Sequence, residues 1–192
     1  MPTFATTDID QALEYFDSTA QAVIEATSGL SPAQWQFKPA PDRWSQAEIL
    51  EHLVIVHDRL MGPMRAQLLQ SPPPPADRDS RLVDAIILEK MPQRSLRANA
   101  PEFVHPTGKM APAEALKGLN RSYARLREFV RTTPDLREHA IDSPPLRFLT
   151  GGEHTLMDGF QMALLLAGHD LRHTAQLRDV QADPNYPRSE NR

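Results

Sequence analysis

Apolar residues recur at three- and four-residue spacing along four long stretches of this chain, the pattern of helices that each bury one face. The first stretch runs from about Asp8 to Ser28 and places Ile9, Leu13, Phe16, Ala20, Val23 and Ala26 on one stripe. The second opens at Ser45, where Ser45-Gln46-Ala47-Glu48 spells a capping box, and continues to about Leu69. Its stripe is Leu50, Leu53, Val54, Leu60, Met61, Met64 and Leu68. Gly62-Pro63 is expected to kink or interrupt its later turns, because proline lacks the backbone donor and crowds the preceding turn. The third helix begins near Pro112, a favourable first-turn proline, and carries Leu116, Leu119, Tyr123, Leu126 and Val130. The fourth is expected to be capped by Thr155, to hold Asp158 in its first turn, and to reach about Val180. No segment shows sustained strand alternation. The pattern predicts an all-α four-helix bundle.

Between these helices the chain is less regular. Pro72 to Pro75 end the second helix, and a shorter helix is expected over about Arg81 to Lys90. Met91 to Ala111, with Pro92, Pro101 and Pro106, reads as irregular. So does Arg131 to His154, broken by Pro134, Pro144, Pro145 and Gly151-Gly152. Residues 1–182 are expected to form a single domain, and 183–192 a polar, frayed tail. A net charge of −4 without a Lys/Arg stripe speaks against nucleic acid as a partner. The absence of an apolar run near 18 residues speaks against a membrane span, and a cytoplasmic protein is expected. With no cysteine, the chain has no disulfide, thiolate ligand or thiol nucleophile of its own. Thiol chemistry would need a thiol carried by a cosubstrate.

The candidate chemistry lies in the fourth helix. His169 and His173 are four residues apart, so their imidazoles leave the same helical face one turn apart. Phe160 to Ala167, just before them, is apolar except for Gln161, so the helix is expected to be buried. Two buried imidazoles without partners would be costly, and a divalent metal would satisfy both. A third ligand should come from the second helix, which offers His52 and His57. Periodicity slightly favours His57 as the inward residue, and a neutral, hydrogen-bonded core histidine is its simplest reading. Spacing alone leaves the third ligand open.

Two segments carry a family resemblance. Phe37-Lys38-Pro39 followed by Arg43-Trp44-Ser45-Gln46-Ala47-Glu48-Ile49-Leu50-Glu51-His52-Leu53 resembles the second-helix signature of the DinB/YfiT-like superfamily. Gly168-His169-Asp170-Leu171-Arg172-His173-Thr174-Ala175-Gln176-Leu177 resembles its fourth-helix signature. The resemblance implies a metal triad of His52, His169 and His173, with one divalent ion per chain, commonly zinc or nickel. It further implies a thiol-dependent transferase or isomerase, or a metal-dependent hydrolase. Depth along the helices agrees with this triad. His52 lies about 10 Å from the start of its helix and His173 about 10 Å from the end of its own. They meet only if the second and fourth helices are antiparallel. That requires an up-down-down-up bundle with a long crossover between the second and third helices, and Ser71 to Ala111 is long enough to be it.

Three protein ligands leave a coordination position open, as in catalytic metal sites. The expected function is a metal-dependent transferase in which a low-molecular-weight thiol reaches that position. The alternatives are a metal-dependent hydrolase and a non-enzymatic metal-binding, stress-associated protein. His169-Asp170-Leu171-Arg172-His173 echoes the zinc-protease motif, but Asp170 is a methylene shorter than its glutamate, and no His or Glu follows at a suitable distance except Glu190 in the tail. Glu48 and Gln176 are candidates to orient the ligands from behind, although a capping box already explains Glu48. Trp44 and His105 are candidate pocket residues, whereas His139 and His154 fall at the other end of the bundle. The candidate partners are a small-molecule substrate and a second copy of the chain. From an unperturbed histidine pKa near 6.5, metal binding is expected to weaken below about pH 6.

Overall fold

The computed structural model describes residues 9–96, 100–133 and 135–188, and of residues 60–64 the backbone alone. Helix α1 spans Ile9–Ala26 and buries Ala12, Leu13, Phe16, Thr19, Ala20 and Val23, one stripe at helical spacing. A short helix α2, Pro32–Gln36, is closed by a reciprocal capping box between Ser31 and Gln34. Helix α3, Gln46–Leu68, starts from the Ser45–Glu48 capping box. Helix α4, Ser80–Lys90, is capped by Asp79, and α5, Pro112–Thr132, begins on its proline. Strand β1 (Ala140–Asp142), helix α6 (Pro144–Thr150) and strand β2 (Leu156–Asp158) lead into helix α7, Gly159–Gln181.

Contacts along the helices define their directions. Gln181 Nε2 donates to Gln46 Oε1 (2.9 Å) at one end of the α3–α7 pair, and Leu68 packs on Gly159 at the other, so the two are antiparallel. Val54 packs on Gly118, Asp58 accepts from Ser122 (2.9 Å), and Arg65 stacks over Phe129, so α3 and α5 are parallel. Helix α1 lies along α7 with both C-terminal ends together, Gln181 Nε2 donating to the Ala26 carbonyl (2.6 Å). The four long helices therefore run up, down, down and up, and residues 69–111 cross over between α3 and α5. Helix α7 is the central member. Every residue from Gly159 to Gly168 is buried, which is why its first half is apolar on all faces but for Gln161.

Beyond the site end, one polar knot holds the start of α7. The Asp158 side chain caps the helix by accepting from Gln161 N (2.8 Å), and Gln161 Oε1 accepts from Asp158 N in return (3.1 Å). Arg78 and Arg137 both reach Asp158, Arg137 forks onto Asp84, and the Arg137 guanidinium lies 4.0 Å from the Phe160 ring centroid. This knot ties the first part of the crossover to the bundle.

Several expectations are corrected. The cap of the last long helix is Asp158, not Thr155: residues 156–158 pair with 140–142 as an antiparallel ladder, which delays the helix by about a turn. The stretch 131–154 accordingly holds a strand and a helix. Helix α3 is not interrupted at Gly62-Pro63. Ile9, expected on the buried stripe of α1, is exposed. The tail does not fray before residue 188. Tyr186 sets its ring edge-on to Phe37 and bonds Gln46, and the Pro187 carbonyl accepts from Gln34 (3.0 Å). An aromatic residue gives an otherwise polar tail something to bury. The expected contributions of Asp8, of the Leu60, Met61 and Met64 side chains, of Pro134 and of Glu190 lie outside the described residues. Among the described residues no helix is long and apolar enough to cross a membrane.

The α3–α7 crossing is testable at Gly159, whose N–H donates to the Leu136 carbonyl (2.8 Å). A β-carbon there would lie 2.7 Å from a Leu68 methyl, 2.8 Å from a Leu136 methyl and 3.2 Å from the Leu136 carbonyl oxygen. Gly159→Ala should therefore lower stability by about 1–3 kcal/mol through overpacking, despite alanine's better helix propensity. Chemical denaturation checks this, and a midpoint at or above that of the parent would contradict it.

Candidate metal centre

Where α3 and α7 cross, three imidazoles come together. His52 stands in the second turn of α3, and His169 and His173 stand one turn apart on the facing side of α7. Ring centroids are 4.7 Å apart for His52–His173, 5.3 Å for His52–His169 and 4.4 Å for His169–His173. One nitrogen from each ring lies within 4.8 Å of the others. The Nε2 atoms of His169 and His173 are 3.1 Å apart. In a tetrahedral site with metal–nitrogen bonds of about 2.0–2.1 Å, neighbouring donors sit about 3.3 Å apart, so this pair already has the required spacing.

Hydrogen bonds behind the rings settle which nitrogen faces inward. His52 Nδ1 donates to the Val104 carbonyl (2.7 Å), and His173 Nδ1 donates to Gln176 Oε1 (2.9 Å). Arg94 Nη1, which can only donate, points at the same Gln176 oxygen (3.2 Å) and so fixes the orientation of that amide. With Nδ1 protonated in both rings, each Nε2 keeps its lone pair, the tautomer a metal ligand needs. His169 Nδ1 is buried without a hydrogen-bond partner. Burial pushes the His52 pKa down to about 4, with the Val104 bond opposing it in part and His105 adding to it. His169 and His173 are held well below the ordinary range, first by burial and then by neighbouring imidazoles and Arg172. Three uncharged imidazoles, two of them with the Nε2 lone pair turned inward by these bonds, could hold a divalent ion, and the donor set fits one.

The other candidates fall as follows. Trp44, just before the α3 cap, lays its ring 4.8 Å from His52 and 6.5 Å from His173, and His105 stands 6.0 Å beyond it at the exposed rim. Both thus border the triad. Gln176 touches His173. Glu48 does not orient His52: its carboxylate accepts from Ser45 N (2.8 Å) and pairs with Lys38 (2.7 Å). His57 is fully buried and bonds Asp170 (3.0 Å) away from the triad. His139 bonds the Ser71 carbonyl (2.7 Å), at the far end of the bundle.

Two participants were not foreseen. The orienting acceptor for His52 is a backbone carbonyl, which leaves no mark on the sequence. The second is Glu51, buried beside His52. It accepts from Thr107 N (3.0 Å), Thr107 Oγ1 (2.6 Å) and Gly108 N (2.8 Å), pinning the loop that presents Val104. Only its position next to a candidate ligand, on the side of α3 where an acid would otherwise be unusual, could have drawn attention to it. On the α7 side Arg172 holds the crossover through the carbonyls of Gln93 and Leu96.

The depressed pKa values dictate how acid acts. Well above pH 6.5 these histidines are neutral whether the chain is folded or unfolded. Below it the unfolded chain takes up protons that the folded site refuses, so stability falls as pH drops from about 6.5 towards 4. His52 alone contributes about 3 kcal/mol to that loss. In the metal-free protein, thermal melts between pH 7 and 4.5 should show this decline, and His52→Phe should make it shallower. In the folded, metal-loaded protein, proton competition should begin nearer pH 5 than the pH 6 expected of unperturbed imidazoles. A zinc titration that weakens tenfold between pH 7 and 6 would contradict this.

Comparison with known proteins agrees with this fold. No curated protein matches the chain by sequence. Among solved structures, YfiT from Bacillus subtilis aligns with a TM-score of 0.63 at 11% identity, covering 97% of this chain and 93% of that one. That protein is described as "a probable metal-dependent hydrolase with an unusual four-helix bundle topology", and at this identity the likeness shows the fold alone. A family model described as the DinB superfamily matches residues 15–177, from the second turn of α1 to the last turns of α7 and through all three histidines. The chain belongs to the DinB superfamily.

Proposed function

We propose that this chain is a divalent-metal-dependent enzyme in which His52, His169 and His173 hold one ion, zinc or nickel, both suited to imidazole donors. The observation that carries the proposal is the pair of rear hydrogen bonds, His52 to Val104 and His173 to Gln176, which leave lone pairs turned towards His169. A divalent ion there would act as a Lewis acid, acidifying a nucleophile or polarising a substrate oxygen at the position three imidazoles leave open. The reaction we favour is transfer to or from a low-molecular-weight thiol. A free thiol with a pKa near 8.5 starts far closer to ionisation than bulk water, at about 15.7, so it needs less help from the cation. The carboxylates nearest the triad in sequence are committed elsewhere: Glu48 to Lys38, Glu51 to the Thr107 loop and Asp170 to His57. The chain's own part is to orient the donors, to wall the site with Trp44 and to keep His105 at the rim as an exposed imidazole. Hydrolysis is the second reading. It is supported by the description of YfiT and by His105, the exposed group best placed to serve as a base.

Metal analysis of protein made without a histidine tag should give one divalent ion per chain, and His173→Ala should remove tight binding. Holo and chelated protein, both folded, are then compared on thiols paired with electrophiles and on simple esters. Metal-dependent turnover only with a thiol supports the transferase, and turnover of esters without thiol supports the hydrolase. Equal turnover in both forms would show that the metal is not catalytic, and no turnover in either would leave the binding-protein reading.

A further inference from the structure

Two side-chain hydrogen bonds join α3 directly to α7 among the described residues; on α3 they fall on either side of His52, and on α7 Asp170 lies between His169 and His173. Gln181–Gln46 lies towards the open end, and His57 Nε2 to Asp170 Oδ1 lies on the inner side (3.0 Å). His57 is five residues beyond His52, a rise of about 7.5 Å, and Asp170 directly follows His169. Both side chains are fully buried. Where water is excluded, a hydrogen bond between a carboxylate and an imidazole is directional and costly to break, so it resists both sliding and separation of the two helices. Behind it Thr174 Oγ1 donates to the Asp170 carbonyl (2.9 Å) within the same turn of α7. The Tyr123 ring from α5 stands edge-on to His57, 5.3 Å away, and its hydroxyl faces Asp170 without closing a bond of good geometry.

A stability role explains this pair poorly. Burying an acid and an imidazole costs desolvation that apolar side chains of similar size would avoid, and such pairs are often replaceable without loss of stability. The pair also leaves His57 Nδ1 buried without a hydrogen-bond partner. A clamp next to His169 does explain it. The triad draws its donors from two helices, and an error of about an ångström in helix separation would spoil their common focus.

We propose that His57 and Asp170 are positioning residues that set the α3–α7 spacing and thereby the distance of His52 from His169 and His173. The inference rests on the metal-site reading above. The test is a titration of the metal-free protein with cobalt(II) alone, reading affinity and the visible absorption of the bound ion, together with thermal melts of the metal-free forms. The double variant His57→Leu/Asp170→Leu should melt at or near the parent temperature yet bind cobalt about 10- to 100-fold more weakly with an altered spectrum. Asp170→Asn, which still accepts from His57, should bind within a few-fold of the parent. Asp170→Glu keeps the charge but lengthens the clamp by one methylene, and should bind about tenfold more weakly. Should the double variant fail to fold, Asp170→Glu decides. Parental affinity and spectrum in a folded double variant, or in Asp170→Glu, overturn the positioning role while leaving the metal site intact. If the parent itself binds no cobalt, the metal-site reading falls and this inference falls with it.

Discussion

Three imidazoles packed between two antiparallel helices must stay uncharged, and much of the molecule follows from that requirement. A protonated imidazole in a dry helix interface carries a desolvation cost that no nearby carboxylate offsets here, so burial holds all three in the neutral form. A neutral imidazole still has two nitrogens to satisfy. Helix α7 supplies Gln176 from its own next turn, whereas His52 depends on a carbonyl some fifty residues away in the chain. The crossover therefore has two duties. It makes an antiparallel α3–α7 pair topologically feasible, and it returns over the site end to give Val104 to His52.

The bundle divides its work between its ends. At the start of α7 charges are numerous and matched: Asp158, Asp84, Arg78, Arg137 and Gln161 satisfy one another, and the fold is pinned there. At the site end the polar groups converge on the ring of histidines instead, with an aromatic wall and an exposed imidazole beside it. Tyr186, Gln46, Gln181 and Gln34 close the last turns beyond the triad with uncharged hydrogen bonds. The consequence is a far end cross-linked by matched charges and a candidate centre whose neutral donors leave an incoming ion its full charge.

Hydrophobic periodicity was sufficient to place the four long helices and α4, and α3, α4 and α5 begin at a recognisable cap or proline. It misplaced the start of α7. Thr155 and Asp158 are both acceptable caps, and only pairing of residues 156–158 with 140–142 decides between them. Three-residue strands are too short to declare an alternation. The tail likewise looked unstructured because one tyrosine among polar residues is a weak local signal, and the Phe37 edge it meets exists only after folding.

The same division applies to the candidate site. Local sequence determined that His169 and His173 share a helical face and that the following Gln176 can reach back to one of them, since these are contacts within two turns. The resemblance of two segments to a family pointed to His52, and ligand depth with crossover length then required the helix directions that the structure has. Which nitrogens face inward, how far burial lowers the pKa values, and which acids are committed elsewhere were decided only by tertiary structure. Each depends on what lies across a helix interface: Val104 for His52, Asp170 for His57, the 107–108 loop for Glu51. A backbone carbonyl has no residue type, and the effective dielectric at a side chain is a property of everything packed around it. Those two facts separate what this sequence determines by itself from what only its fold decides.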